Sequence, residues 1–462
     1  MAAQRTTSYY HCFAPFLLRH QTPQFLKFKP LFRLPPASSH DHCLNLNAGS
    51  KTHIPIKSNL SSFITDSEIQ SEFAHHDPDV ARINNGSFGC CPASVITALW
   101  QWQLKYLRQP DHFCHNELQK GLLETRTIIR ELINADDVDE ISIVYNATTA
   151  VAIVLQQAAW AFSEGIYKKG DAIIVLQHAF GAVKNSIKAY ISRAGGYVIE
   201  VYFKFPVSSN NEIITAFRKA LKEGKANGRS VRLALIDHVT SMPSFLIPVK
   251  ELVKICRVDQ VFVDVAHGIG CTDVDMKERG ADFYTSNLHK WFFSPPSIAF
   301  LYCRKLSRCL NLHHPVVSHE YGNGLAIESA WVGTRDYSPL LVIPSVLEFI
   351  SRFENGIHGI MERNHEVVVE MGKMLAKAGG TNLGSPPEMC ATMIMVGLPS
   401  CLGISSEKDS LNLGTHLRAD LVLKFQYIIG HQKMGKLSLL LGMLEFLIKS
   451  TTKLMIISSS GM

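Results

Sequence analysis

The stretch YTSNLHKWFF (284–293) sets Lys290 among Leu288, Trp291, Phe292 and Phe293. Lysine is seldom fully buried without a partner. Apolar surroundings disfavour its ammonium form and lower its pKa, which makes the amine a nucleophile. A snorkelling lysine, stem buried and head in water, is the plainer alternative. A second candidate, Asp264, ends the apolar run QVFVD (260–264) and is followed by Val265, Ala266 and His267. A carboxylate there is costly unless a cation or donors meet it; a helix cap would also account for it. The third candidate is Asn146-Ala147-Thr148-Thr149, which follows ISIVY (141–145) and opens a helical pattern. Free N–H groups at a helix N-terminus, with threonine hydroxyls beside them, can cradle a phosphate. An ordinary threonine cap is the alternative reading.

These residues need elements that bring them together. Short β-type runs lie at 141–145, 171–176, 197–203, 231–237, 260–264, 282–286 and 298–303, with helical patterns at 149–163, 181–193, 211–223 and 247–256 between them. Strands alternating with helices, some apolar on both faces, predict an α/β protein with a mainly parallel seven-stranded sheet flanked by helices. In such sheets ligands bind beyond the carboxyl ends of the strands. Three strand ends would then supply a phosphate cradle, a carboxylate and an apolar-flanked lysine. Pyridoxal phosphate needs those three things: donors for its phosphate, an acid to keep its ring nitrogen protonated, and an amine for its aldehyde. Zinc is not indicated, since His313, His314 and His319 lack a fourth ligand at useful spacing.

Composition narrows the class. Apolar residues make up 46% and charged residues 19% of the 462, a globular balance with room for two or three domains. No apolar run reaches the roughly 18 residues a membrane span needs; the longest, LSLLLGMLEFLI (437–448), contains Glu445. Residues 1–60 hold Arg5, Arg19, Lys27, Lys29, Arg33, Lys51 and Lys57 against Asp41 alone, so the whole net charge of +6 sits there. The remainder is balanced and shows no net pull toward nucleic acid. The leader is rich in Ser, Thr, Pro, Phe and His, and Arg19 interrupts its apolar stretch. It reads as an organelle transit peptide, plastid or mitochondrial, or else as a disordered terminus of a cytoplasmic protein. The eleven cysteines include no CxxC pair, which argues against a disulfide or zinc framework. Expected divisions are 1–60 as leader, 61–335 as a cofactor-binding large domain with an amino-terminal arm of helices at 93–108 and 115–135, and 336–462 as a smaller carboxy-terminal domain. Within that last part, residues 338–378 predict two long helices and ATMIMVG (391–397) an apolar strand.

RINNGSFGCCP (82–92), YNATTAV (145–151), VDVAHGIG (263–270), SNLHKWFFSPP (286–296) and ESAWVGTRDYS (328–338) resemble the class V aminotransferase family, in its plant L-cysteine desulfhydrase group, related to isopenicillin N epimerase. The resemblance covers about residues 78–418. It implies the fold type I architecture of pyridoxal-phosphate transferases, with Lys290 bonded to the cofactor and Asp264 on the pyridinium nitrogen. It further implies His267 near the ring hydroxyl, and Ala147, Thr148, His289 and Asn287 at the phosphate. Phe180 falls where relatives carry the Tyr or His that stacks on the ring. Thr334 resembles the residue that reaches the phosphate of a neighbouring subunit, which implies a homodimer, and Asn85 would face the substrate.

The implied activity is α,β-elimination on L-cysteine to hydrogen sulfide, pyruvate and ammonia. Desulfurases of the same fold use a loop cysteine instead; the nearest candidate, Cys390, leads into an apolar run and reads as a core thiol. The family also implies a late arginine that grips the substrate carboxylate. No arginine follows Arg418, and from about Asp420 the sequence departs from the family and reads as an altered or truncated end. Either Arg335 serves as the cation, or the chain is a weakly active or inactive cofactor-binding homologue; a desulfurase or aminotransferase is a further alternative.

Overall fold

A computed structural model describes residues 63–78, 81–82, 84–256, 260–305, 311–420 and 423–424. The leader over 1–60 and the run at 437–448 lie outside the described residues. All seven expected strands form: β1 (Ile141–Val144), β2 (Ala172–Leu176), β3 (Tyr197–Val201), β4 (Val231–Asp237), β5 (Gln260–Val265), β6 (Phe283–Asn287) and β7 (Ala299–Cys303). They make one sheet in the order β1-β7-β6-β5-β4-β2-β3. Strand β7 runs against both of its neighbours, and the other pairings are parallel.

Side chains alternate across the pleat, and the sheet buries both sets. Helix α3 (Ala147–Ser163) follows α1 (Ala93–Arg108) and α2 (Leu118–Leu132) in the chain. Leu233, Leu235, Phe262, Phe283, Ala299 and Leu301 face its apolar side, chiefly Ala150, Val151 and Val154. Ala234, Ile236, Val261, Val263 and Tyr284 belong to the opposite core. That core takes in Leu118, Leu122 and Ile129 of an amino-terminal helix over Leu118–Leu132. It also takes in Ile343, Val346 and Phe349 of the helix over Ile343–Ser351. Runs apolar on both faces are what a covered parallel sheet requires.

The helices expected over 93–108 and 338–378 appear as Ala93–Arg108, Ile343–Ser351 and Gly356–Gly379. The strand expected over 391–397 does not form. Pairing is confined to isolated bridges at Val396, opposite Leu383, and Gly397, and the Ala391 carbonyl bonds the His365 ring instead. The run is apolar because Cys390, Ala391, Met395 and Val396 are buried, not because it joins a ladder. Among the described residues no helix is long and apolar enough to cross a membrane, and no His, Cys, Asp or Glu group could hold a metal ion.

Candidate active site

The carboxyl ends of β4, β5 and β6 meet on the face covered by α3. Asp264 sits opposite Asp237 of β4 and Thr285 of β6 in the ladder, two residues along from Phe262 and Phe283 on the α3 side. Strand β6 runs directly into a one-turn helix, Leu288–Trp291, which presents Lys290. The Lys290 Nζ lies 3.2 Å from His267 Nε2, and the Trp291 indole donates to His267 Nδ1 at 3.2 Å. An indole N–H can only donate, so Nδ1 is the accepting nitrogen and the proton of neutral imidazole stands on Nε2. Nε2–H therefore points at Lys290. Burial, then the charge of Lys290, hold the His267 pKa well below its ordinary value, so the ring stays neutral. A neutral Nε2–H can donate to a free amine and has nothing to offer an ammonium. Burial lowers the Lys290 pKa to about 8, against the opposing pull of Asp264 and Cys271. The lysine is thus mostly buried and poised as a nucleophile, not snorkelling.

Asp264 is 5% exposed. Burial raises its pKa, while Lys290 and the Ala266 N–H act against that. Its Oδ1 has no hydrogen-bond partner, a costly condition for a buried acceptor.

At the head of α3, Asn146 caps the helix by accepting from the Thr149 N–H at 2.9 Å, while Asn287 Oδ1 accepts from the Ala147 N–H at 2.9 Å. Thr148 lies between them with its side chain exposed. Asn287 thus ties the end of β6 to the anion-attracting terminus. His289 stands beside it with a buried, unpartnered Nδ1 and a pKa lowered by burial to about 4.

Two distant segments close over the lysine. Asn85 is buried in the turn Asn85–Phe88; at Gly86 an added Cβ would lie 2.7 Å from Met393 Sδ, 3.4 Å from Trp291 and 3.6 Å from His267. Gly89, at φ +66°, packs against backbone: a Cβ there would lie 1.6 Å from the His289 carbonyl oxygen. From the other side, Thr392 meets Cys271 at 2.9 Å, and Val239, Cys271, Trp291 and Ala391 form a small apolar cluster.

Arg335 is held by stacking. Its guanidinium lies 3.6 Å from the Tyr145 ring and 4.7 Å from that of Tyr337, with Nη2 buried and unpartnered. Tyr145 immediately precedes the α3 cap, so the cation stands at the same strand-end rim. Thr334 is exposed, and Phe180 opens the helix Gly181–Ile187 with 43% of its surface exposed. Two residues escaped the sequence reading. His178 follows β2 with its Nε2 buried and unpartnered and its ring 4.8 Å from that of Phe205. Asp237 is the carboxyl beside Asp264; its place at the end of the apolar run LALI (233–236), like that of Asp264 after VFV (261–263), was the available signal.

The family model for aminotransferase class-V matches residues 90–398. The chain belongs to the class V aminotransferase family. It is 68% identical over 362 residues to the "Probable L-cysteine desulfhydrase, chloroplastic" of Arabidopsis thaliana, covering 77% of this chain and 76% of that one. It is 62% identical over 378 residues to the L-cysteine desulfhydrase of the same organism, covering 80% and 83%. The isopenicillin N epimerase of Amycolatopsis lactamdurans is 24% identical over 345 residues, covering 70% and 82%. Among solved structures, apo cysteine desulfurase from Thermococcus onnurineus NA1 superposes with a TM-score of 0.61 at 18% identity, over 77% of this chain and 87% of that one. A C-DES variant with glycine covalently linked to its PLP cofactor gives 0.60 at 19%, over 78% and 91%. The fold is therefore that of the type I pyridoxal-phosphate enzymes. This class V membership implies pyridoxal phosphate, and the residues fit it: an amine facing a neutral imidazole, an unpartnered buried carboxylate oxygen, and a helix terminus tied through Asn287 to the strand end that carries His289, whose Nδ1 is buried without a partner.

Proposed function

We propose that this class V chain is a lyase that eliminates sulfide from L-cysteine, with pyridoxal phosphate bound at Lys290. The observation that carries the reading is the Lys290–His267–Trp291 arrangement, which favours the lysine as a free amine. The desulfhydrase names of the relatives at 68% and 62% identity support the substrate.

The cofactor, when bound, supplies an aldehyde for amines and a protonated ring that accepts electrons from Cα. Asp264 Oδ1 would receive the ring N–H, and its negative charge keeps that proton in place. Thr148, the Ala147 end of α3 and His289 would hold the phosphate, with Asn287 fixing the helix terminus. His267 would orient Lys290, whose free amine would take the Cα proton. Sulfur would leave Cβ as hydrosulfide, which like a thiolate is a weak base and so a good leaving group. With one water consumed, cysteine gives hydrogen sulfide, pyruvate and ammonia.

Elimination is favoured over sulfur transfer because Cys390 is 3% exposed. Its thiol sits 3.5 Å from Ser385 Oγ and donates to the Pro386 carbonyl, and burial raises its pKa. Arg335 would bind the substrate carboxylate, since its guanidinium stands at the strand-end rim with Nη2 lacking a partner. Exposed Thr334 would reach a second copy in a homodimer, and Phe180 would stack on the cofactor ring. The leader would direct the chain to a plastid, as the chloroplastic relative suggests, or to a mitochondrion.

Sulfide and pyruvate release from cysteine, in equal amounts, tests the reading. Visible absorbance without either product would instead favour a cofactor-binding, inactive homologue. Arg335→Ala should raise KM for cysteine by about 30-fold or more, the effect of removing a fixed cation from a carboxylate; an unchanged KM would move the carboxylate site elsewhere.

A further inference from the structure

Asp237 has no role in the chemistry described so far, yet it is the last residue of β4 and the register partner of Asp264 on β5. Neighbouring strands lie about 4.8 Å apart, and the two residues share the α3 face, so their carboxyls stand side by side. Both are 5% exposed. Each carries an oxygen without a hydrogen-bond partner: Oδ2 of Asp237 and Oδ1 of Asp264. Two carboxylates placed in this way cannot both ionise. One proton between them partners both orphan oxygens.

The surroundings decide which one carries it. Asp264 has the Ala266 N–H, and Lys290 whenever that amine is protonated, to favour its anion. Asp237 has no cation. Its neighbour along the face is Leu235, a member of the apolar cluster on the α3 side, and Thr285 spends its hydroxyl on the Phe300 carbonyl. His238 is the next residue but points to the opposite face, where it meets the Tyr284 hydroxyl. The titratable groups at this end of the site are Asp264 itself, Lys290, His267, His289 and Cys271.

We infer that Asp237 is a positioning residue, a neutral carboxylic acid that donates its proton to Asp264 and so leaves the pair with one negative charge rather than two. Burial and the Asp264 charge both push the Asp237 pKa well above its ordinary value, in agreement. A carboxylate oxygen accepts two hydrogen bonds, so Asp264 Oδ1 can take this proton and still receive a ring N–H. The inference rests on the proposed role of Asp264 and extends it. The strength of that carboxylate toward the cofactor is set by the residue across the strand.

The sign of one shift tests this. If Asp237 is a neutral donor, Asp237→Asn supplies an amide N–H in its place, and the acid limit of cofactor retention should not move. Asp237→Ala removes a donor from a charged acceptor. Cofactor affinity should fall about tenfold, and the acid limit should move up, because Asp264 then takes a proton more readily. If Asp237 were ionised, both variants would relieve repulsion and move the limit down, which overturns the inference. So does an alanine variant equal to wild type, or an asparagine variant as impaired as alanine. Infrared difference spectra of wild-type minus Asp237→Asn holoprotein at neutral pH should contain a protonated-carboxyl stretch; its absence also overturns the proposal. Borohydride reduction with peptide mapping on the same samples reports whether Lys290 carries the cofactor. A failure of the proposed function is thereby separable from a failure at Asp237.

Discussion

Lys290 at the end of β6 and Cys390 in the segment that closes over it are both nucleophiles taken out of water, with opposite results. Burial lowers the lysine pKa to about 8 and raises that of the cysteine. The charged form is disfavoured in each case, but the reactive form of an amine is its neutral one and that of a thiol its anion. Cys271, nearer the lysine, is pushed up to about 11 by the same cause. One environment therefore prepares the amine and silences the thiols. The division between a lyase and a sulfur carrier can be set by how dry the segment at 389–395 is kept, with no change in the strand ends.

The largest effect should follow from removing the prepared nucleophile. Lys290→Ala should lower sulfide release by about 10⁴-fold or more and abolish the borohydride-fixed adduct; a residual adduct would assign the covalent link to another amine. Asp264→Ala should weaken cofactor binding at least as much as Asp237→Ala while leaving the phosphate end intact, and in the cofactor-saturated protein Cα-proton exchange in deuterated water should slow by about 10²–10³. Exchange at the wild-type rate would remove Asp264 from the chemistry. The comparison sharpens with pH. Recapture of cofactor by the stripped chain should rise about tenfold per pH unit, because only the unprotonated amine attacks, and level off above pH about 8. An ordinary lysine, with a pKa of about 10.4, would still be climbing there. The smallest effect belongs to the silenced partner: Cys390→Ala should change turnover less than about threefold, and exposed Cys401 should react with a thiol reagent long before Cys390. Loss of activity in the Cys390 variant would break the contrast and make this a sulfur-transfer enzyme.

The sheet was legible because its runs are apolar enough to be buried on both faces, and all seven strands follow. Lys290 and Asp264 stood out because a charge at the end of an apolar run demands a partner. What stayed hidden depends on register and on contacts between distant segments. That the Trp291 indole sets the His267 tautomer, or that Asp237 faces Asp264, follows only once strands are paired. The run at 391–397 misled for a related reason: burial and strand formation leave the same apolar signature when no ladder partner is specified. Arg335 was a candidate by charge alone, and its stacking on Tyr145 could not be read from residues so far apart.

Gly89 touches the backbone of His289 so closely that no side chain fits between them, yet about two hundred residues separate the two in the chain. During synthesis the turn at 85–89 emerges early and has nothing to close upon until the end of β6 is made. Contacts of such sequence separation form only after the intervening chain has been ordered. A nascent polypeptide therefore passes through a long interval in which most of the sheet can pair while the lysine does not exist. The cofactor meets a finished framework, and its capture is a late event in the life of each new molecule.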